Sequence, residues 1–119
     1  MGIINVKKSK FDLEVYKSIF NNSMDAVLLT HPYGTIFYAN STAEELFGYT
    51  QNWICKLGRS GIVDSTDANL NVMLDERSRN GRSRGELTFI KKDGSKFPGE
   101  ISTNLFKDKN GIYGHFHVN

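Results

Sequence analysis

The chain has 119 residues and a net charge of +2 at pH 7, with 39% hydrophobic, 12% aromatic and 24% charged residues. This length suits one globular domain, and the composition excludes a disordered chain. The charge is too small and too evenly scattered for nucleic acid to be the expected partner. Cys55 is the only cysteine, which excludes an internal disulfide and a cysteine-based metal cluster.

The N-terminal sequence gives no sign of a membrane span or a signal peptide. No apolar run approaches the ~18 residues that a span needs, and residues 1–10 lack an apolar core. We therefore expect a cytoplasmic domain with no direct membrane contact, whether or not the full-length protein is tethered elsewhere. Because residues 1–10 are basic and without periodicity, we expect an extended lead-in followed by a single domain over residues 11–119.

An N-terminal helix is predicted before the core of the domain. Ser9 and Asp12 form a start signal for a helix over about residues 11–22, and the core begins near residue 24. Four apolar residues share one face of this helix: Leu13, Tyr16, Ile19 and Phe20. Such a face needs a partner. Two are open: the outer face of the predicted sheet near Ile90 and Pro98, or a second copy of the chain in a homodimer.

A hairpin and a short helix follow. Residues 25–31 and 35–39 are rich in strand-forming residues and are joined by Pro32-Tyr33-Gly34, which suits a tight turn. Ser41 and Glu44 then have the spacing of a capping box, which predicts a short helix that ends at Gly48.

A longer helix is predicted after an irregular stretch. We predict short helical turns and loops for residues 49–64, which have an irregular pattern. Residues 67–80 carry Leu70, Met73 and Leu74 at helical spacing, and Gly81 lies where the helix should stop.

The segment of residues 84–106 predicts a long hairpin, because Asp93-Gly94 separates two half-apolar runs. We predict a three-residue loop, Asp93-Gly94-Ser95, with Gly94 in the left-handed region. This register pairs residues 89 with 99, 87 with 101 and 85 with 103, whereas a two-residue loop would mix polar and apolar residues on both faces. The predicted inward-facing residues are Leu87, Phe89, Phe97, Ile101 and Leu105.

The predicted fold class is α+β. Residues 112–119 alternate as a last strand after a turn at residues 108–111, so the order is helix, two strands, several short helices and three strands. Consecutive hairpins imply an antiparallel sheet, and the helical insert has to cover one of its faces.

Four strings in this layout resemble the PAS (Per-Arnt-Sim) sensory domain. They are IFNNSMDAVLLT, IFYANSTAEELFGYT, LDERSRNGRSRGELTFIKKDGSKFPGEIS and DKNGIYGHFHV, and the resemblance covers residues 14–119. It is nearest to the branch found in sensor histidine kinases of two-component systems. The resemblance implies a five-stranded antiparallel sheet in the order 2-1-5-4-3, with short helices on one face and an N-terminal flanking helix.

The resemblance also implies a function. PAS domains bind a small molecule or a partner and pass the resulting change to an effector joined to the last strand. Because the chain ends at Asn119, we expect an input module whose C-terminal effector, a histidine kinase, lies outside it. A ligand-free module for dimerisation or interaction is the alternative.

A small cavity is expected between the helices and the sheet. Its candidate ligand-binding residues are Leu28, Thr30, Met73, Leu74, Phe89, Gly99, Ile101 and Thr103. Gly99 opposite Phe89 would leave room for a ligand. The alternative is that these residues are plain core, with Phe89 filling the space over Gly99.

No cofactor is predicted. Haem in this family needs a histidine on the long helix, and residues 67–80 contain none. Covalent flavin is disfavoured because Gly58-Arg59-Ser60-Gly61 lacks the reactive cysteine. Noncovalent flavin stays open as an alternative, but Phe89 and Gly99 stand where amide side chains usually hold its ring. His115 and His117 share a strand face. Such a pair could suit a metal, but it is more often simply exposed on a strand, so no metal is predicted. Three alternatives are left for the cavity: an unidentified small organic ligand, an unusually dry core, or no ligand.

Two residues are assigned structural roles. Asn40 can close the turn into the short helix, with relevance to signalling because it ties the sheet to a helix, and Gly94 meets a backbone requirement. No catalytic constellation can be assembled, so we do not expect this domain to be an enzyme; catalysis would belong to the kinase.

Overall fold

The structure, a computed structural model, describes residues 9–108 and 110–119. Five helices and five strands follow one another in the described chain: α1 (Ser9–Asn21), β1 (Ala26–Thr30), β2 (Ile36–Ala39), α2 (Ser41–Phe47), α3 (Gln51–Leu57), α4 (Arg59–Ile62), α5 (Asn69–Asn80), β3 (Arg82–Ile90), β4 (Lys96–Asp108) and β5 (Gly111–Val118). Most of the predicted lead-in lies outside the described residues, and its last two residues, Ser9 and Lys10, belong to α1.

The five strands form one antiparallel sheet in the order β2-β1-β5-β4-β3. This order confirms the predicted topology. The apolar inner face of the sheet packs with residues of α2 to α5 into one hydrophobic core. Pairing of Thr30 with Gly114 and of Thr103 with Phe116 brings these four residues together on the central strands β1, β5 and β4.

The register of the β3–β4 hairpin differs from the prediction by two residues. Leu87 pairs with Gly99, Phe89 with Phe97, and Gly85 with Ile101. The loop is Lys92-Asp93-Gly94, closed by the Lys91 amide, which donates to the Ser95 carbonyl at 2.9 Å. The physical cause is the Asp93 carboxylate, which accepts from the amide and the hydroxyl of Ser95 at 2.9 and 2.6 Å and holds Ser95 opposite Lys91.

The predicted faces of this hairpin are nevertheless confirmed. A shift by two residues preserves which side chains share a face, because the side-chain period of a strand is two. Leu87, Phe89 and Ile101 are buried, and Phe97 is half-buried against the same core. Gly94 has φ +87°, the left-handed conformation that was predicted for it.

The cap of α2 is Asn40, so the predicted Ser41–Glu44 capping box is wrong. The Asn40 side chain accepts a hydrogen bond from the Ala43 amide at 2.9 Å. Glu44 is directed to the next helix instead, where its carboxylate accepts from the Gln51 amide at 2.7 Å. The helix ends at Gly48, as predicted.

Helix α1 lies against the outer face of the sheet at β2 and β5, and not near Ile90 and Pro98. The Phe20 ring is 5.3 Å from the His115 ring and 6.2 Å from the Tyr38 ring, centroid to centroid. The Tyr38 hydroxyl donates to the Lys17 carbonyl at 3.1 Å. Neither α1 nor any other helix of residues 9–108 and 110–119 is long and apolar enough to cross a membrane.

Candidate functional site

The residues predicted to line a cavity come from the inner face of the sheet and from α5, which packs on that face. Seven of the eight are buried: Leu28, Thr30, Met73, Phe89, Gly99, Ile101 and Thr103. Leu74 is only half-buried. Their role in ligand binding stays a prediction.

Near the β3–β4 hairpin, the space is filled by aromatic side chains. The Phe89 ring is 5.6 Å from the ring of Phe47 and 5.5 Å from the ring of Phe97, centroid to centroid. A Cβ atom on Gly99 would come within 2.9 Å of Cε2 of Phe89 and 3.1 Å of Cγ1 of Val118. Phe89 therefore occupies the space over Gly99, which is what the plain-core alternative describes.

The other end of the inner face is polar, and Arg77 of α5 is its centre. Arg77 is 3% exposed although it is charged. Its Nη1 atom donates to the Thr103 hydroxyl at 3.0 Å, and its Nη2 atom donates to the Pro32 carbonyl at 3.4 Å. The guanidinium also lies 5.2 Å from the centroid of the Phe116 ring, which favours a cation.

Gly114 of β5 makes room for this guanidinium. A Cβ atom there would meet Nη1 of Arg77 at 2.9 Å and Oγ1 of Thr30 at 2.6 Å. The two polar groups thus converge above the backbone of Gly114. The Thr30 hydroxyl is buried and has no hydrogen-bond partner among the described residues.

A second guanidinium, that of Arg59 at the start of α4, lies at the turn between β1 and β2. A Cβ atom on Gly34 would be 3.2 Å from both Cζ and Nη2 of Arg59. The Nη1 atom of Arg59 is buried and has no hydrogen-bond partner within residues 9–108 and 110–119. Burial, and then the positive charge of Arg59, lower the pKa of Arg77 from 12.5 to about 10.

Asn40 joins three elements at the end of the β1–β2 hairpin that lies away from its turn. Its Oδ1 atom accepts from the amides of Val27 and Ala43, both at 2.9 Å. Its Nδ2 group donates to the carbonyls of Phe20 at 2.6 Å and of Asp25 at 3.0 Å. One buried amide side chain therefore holds the end of α1, strand β1 and the start of α2, and its predicted capping role is confirmed.

Sequence comparison decides the family of this chain. The family model of the PAS domain matches residues 24–118, which is most of the chain and includes every strand. The chain belongs to the PAS family. PAS is a sensory fold without catalytic activity of its own.

Solved PAS domains have the same fold at low sequence identity. A PAS domain from a two-component sensor histidine kinase superimposes with a TM-score of 0.79 at 14% identity, over 93% of this chain and 97% of that one. A domain of a sensor histidine kinase/response regulator from Geobacter sulfurreducens gives 0.70 at 20%, over 92% and 96%. The PAS domain of the fruit-fly ELK potassium channel gives 0.72 at 16%, over 90% and 94%. None of the curated proteins matches the sequence.

The histidine pair of this PAS domain lies beneath α1. The rings of His115 and His117 are 4.8 Å apart, and the Phe20 ring stacks on His115. Both histidines are half-buried, so the pair is not exposed as the pattern had suggested. Among the described residues, no group of three or more His, Cys, Asp and Glu side chains could hold a metal ion.

The candidate dimer residues on α1 have different environments. Ile19 is 58% exposed, whereas Phe20 is half-buried against the sheet. The side chains of Leu13 and Tyr16 lie outside the described residues.

Sequence reasoning missed Arg77, although the pattern contained a signal. Leu70, Met73, Leu74 and Arg77 follow the i, i+3, i+4, i+7 spacing of a buried stripe, so an arginine occupies an apolar position of α5. Gly114 in the middle of β5 was a second signal, since glycine within a strand often marks a close approach.

Proposed function

We propose that this PAS domain is a sensory input module that binds a small ligand between α5 and the inner face of β1, β5 and β4. The observation that supports it most is the buried polar cluster of Arg77, Thr30 and Thr103, which adjoins the hydrophobic core. Apolar walls with a few convergent polar groups are the usual composition of a ligand site. Packing alone would favour apolar side chains at these three positions.

The hydrogen bonds of the site give a route by which ligand binding would reach an effector. Arg77 links α5 to β4 through Thr103, and β4 pairs with β5 along the whole length of β5. A ligand that competes for the Arg77 guanidinium changes how α5 is held on the sheet. A ligand that binds one arrangement of these elements better than another shifts the population towards it. The change then reaches the end of β5 at Val118, and the effector that we place after it.

The proposed effector is a cytoplasmic histidine kinase. The names of two structural relatives, a two-component sensor histidine kinase and a sensor histidine kinase/response regulator, support this class. The channel relative shows that one fold serves other effectors, so the proposal needs a test of its own.

Native mass spectrometry tests ligand binding, and a kinase fusion tests signal output. The full 119-residue chain, purified without denaturant, should carry a small mass that is lost on denaturation. Fused to the catalytic core of a histidine kinase after Asn119, the chain should change the autophosphorylation rate when Arg77 is replaced by Met. Arg79→Gln, an exposed change on the same helix, is the matched control. Folded fusions with one common rate for all three sequences, and no bound mass, would contradict the proposal.

A ligand-free dimerisation module is the second candidate, and α1 favours it. Val15 and Ile19 on this helix are 38% and 58% exposed. If α1 forms the interface, Ile19→Asp should convert a dimer into a monomer in size-exclusion chromatography with light scattering. Ile112→Asp near the β4–β5 turn is the control, since Ile112 is similarly exposed but lies on β5. A monomeric wild-type chain rules this candidate out.

A further inference from the structure

Two guanidinium groups approach one turn of this domain without a carboxylate between them. Arg77 reaches the Pro32 carbonyl, and Arg59 lies beside Gly34, so both approach the turn between β1 and β2. Among the side chains that the structure describes, no carboxylate oxygen lies within 4.0 Å of either guanidinium. A buried charge without a partner strongly destabilises a fold, because the charge has lost its water and gained no counter-charge.

The nearby acidic side chains are engaged elsewhere. On α5, Asp75 pairs with Arg79 at 3.1 Å, and Glu76 accepts from the Ser83 hydroxyl at 2.5 Å. After α4, Asp64 pairs with Lys96 at 2.9 Å. None of these three carboxylates is positioned to neutralise Arg77 or Arg59.

The hydrogen-bond capacity of the cluster is largely unused. A guanidinium has five N–H donors, and the described bonds of the Arg77 side chain are two, to Thr103 and Pro32. The Nη1 atom of Arg59 and the Oγ1 atom of Thr30 are both buried without a partner among the described residues. Unsatisfied buried polar groups are rare in native proteins, and each calls for an explanation. These groups lack an acceptor that carries negative charge.

We infer that Arg77, Arg59 and Thr30 form a binding site for a small oxyanion, either the carboxylate of an organic acid or a phosphate group. The inference rests on the proposed sensory function, because it names the chemistry of the ligand that the domain would sense. Arginine presents its donors as a planar fork that matches two oxygens of a carboxylate or a phosphate. The Thr30 hydroxyl adds one more donor from the floor of the site.

Two glycines let the guanidinium groups of the site pack closely on the backbone. Arg77 Nη1 and Thr30 Oγ1 occupy the space that a side chain on Gly114 would fill, and the Arg59 guanidinium occupies that space at Gly34. The Phe116 ring holds the Arg77 guanidinium from the side of the core. Because Arg59 is half-buried while Arg77 and Thr30 are buried, an anion would enter past Arg59.

Isothermal titration calorimetry of the full chain with sodium phosphate, sodium acetate and sodium succinate tests the site. Sodium chloride at equal ionic strength corrects for screening, and for the general stabilisation that many salts give. We expect saturable heat for at least one oxyanion, and the phosphate and carboxylate titrations distinguish the two sources. Arg77→Met and Thr30→Val should each lower the affinity, the former roughly tenfold or more. Arg79→Gln should leave it unchanged.

Thr30→Val separates a binding role from a structural one. Because the hydroxyl has no partner, the unliganded variant should melt at the wild-type temperature or above it, while the shift produced by the oxyanion becomes smaller. No saturable heat from any of the three salts, or an affinity that survives both Arg77→Met and Thr30→Val, overturns the site. If native mass spectrometry then finds a bound mass that Arg77→Met also retains, only this inference falls. If it finds none, the sensory proposal falls with it.

Discussion

The Nη1 atom of Arg77 donates a hydrogen bond to the Thr103 hydroxyl at 3.0 Å, and this bond joins the last turn of α5 to β4. The same guanidinium packs on Phe116 of β5 and reaches the turn after β1. One side chain therefore contacts all three central strands or their ends. A residue in this position controls how the helix rests on the sheet.

Replacement of Arg77 by Met should not destabilise the unliganded domain. Methionine keeps most of the side-chain length and removes a buried charge without a carboxylate partner, so we expect the free energy of unfolding to rise by about 1 kcal/mol. Arg77→Ala should lower it by about 2 kcal/mol, because the space above Gly114 would be left empty. Urea unfolding of both variants measures the difference. A loss in Arg77→Met equal to that in Arg77→Ala would mean that the hydrogen bonds of the guanidinium stabilise the fold.

Replacement of Asn40 by Ala or by Asp should lower the free energy of unfolding. Both oxygen and nitrogen of its amide are bonded, so Asn40→Ala leaves several buried groups unpaired and should cost about 3 kcal/mol. Asp is as good as Asn at an ordinary helix N-cap. Here Asn40→Asp would place a carboxylate against the carbonyls of Phe20 and Asp25, and we expect a similar loss.

Ser41→Ala is the control for this experiment, since the described hydrogen bond of the Ser41 hydroxyl is an exposed one to the Asn21 carbonyl. We expect a change below about 0.5 kcal/mol in its free energy of unfolding. An Asn40→Asp variant as stable as the wild type would show that the two donor bonds of Asn40 contribute little.

The hairpins and the faces of their strands could be predicted because they depend on local patterns, whereas the order of the strands in the sheet was implied by the resemblance to the PAS family. Alternating apolar residues and the turn residues Gly34, Gly94 and Gly48 define the hairpins and helix ends. The register of β3 with β4 could not be fixed in this way. The side-chain pattern has a period of two, so a shift by two residues places the same side chains inward, and only the Asp93–Ser95 bonds distinguish the two registers.

The polar part of the candidate site was less predictable, because its residues come from distant segments. Thr30 and Thr103 could be placed on the inner face from strand periodicity. Arg77 and Arg59 could not be joined to them, since the sequence does not tell where the turn at Pro32 lies relative to α4 and α5. Charged residues on helices usually lie at the surface as well, so the sequence did not indicate that Arg77 is buried.

Gly99→Ala should destabilise the domain, whereas Gly85→Ala should be tolerated. A Cβ atom on Gly99 would lie 2.9 Å from the Phe89 ring, which is packed between Phe47 and Phe97 and cannot yield. We expect a loss of about 1–3 kcal/mol. On Gly85 the nearest atom is Sδ of Met73 at 3.0 Å, and a methionine side chain can move.

Thermal unfolding of the two alanine variants provides the measurement. A second substitution, Phe89→Leu in the Gly99→Ala background, should recover part of the loss because it removes the ring edge. Equal melting temperatures for Gly99→Ala and the wild type would indicate that the space over Gly99 is open. That result would favour the predicted cavity over the plain-core alternative.

Lowering the pH should reduce the free energy of unfolding, because the half-buried His115 resists protonation in the folded chain. Burial, with a smaller contribution from the charge of His117, lowers the pKa of His115 from 6.5 to about 4. Between these two pH values the unfolded chain binds a proton that the folded chain does not, so stability is complete above pH ~6.5 and is lost as the pH falls towards 4. The expected loss is about 2–3 kcal/mol. Urea unfolding across this range should show it.

His115→Phe should flatten that dependence, because phenylalanine keeps the stacking on Phe20 and cannot be protonated. His31→Phe is the matched control: His31 is exposed and contacts only the rings of Phe37 and Tyr113 among the described aromatic side chains, so the slope should remain. Protonation of Asp64 does not interfere with this measurement. Hydrogen bonds from Thr66, and then from Lys96, lower its pKa from 3.8 to about 2, so its contribution is lost only at lower pH. A slope unchanged in His115→Phe would mean that other groups cause the acid sensitivity.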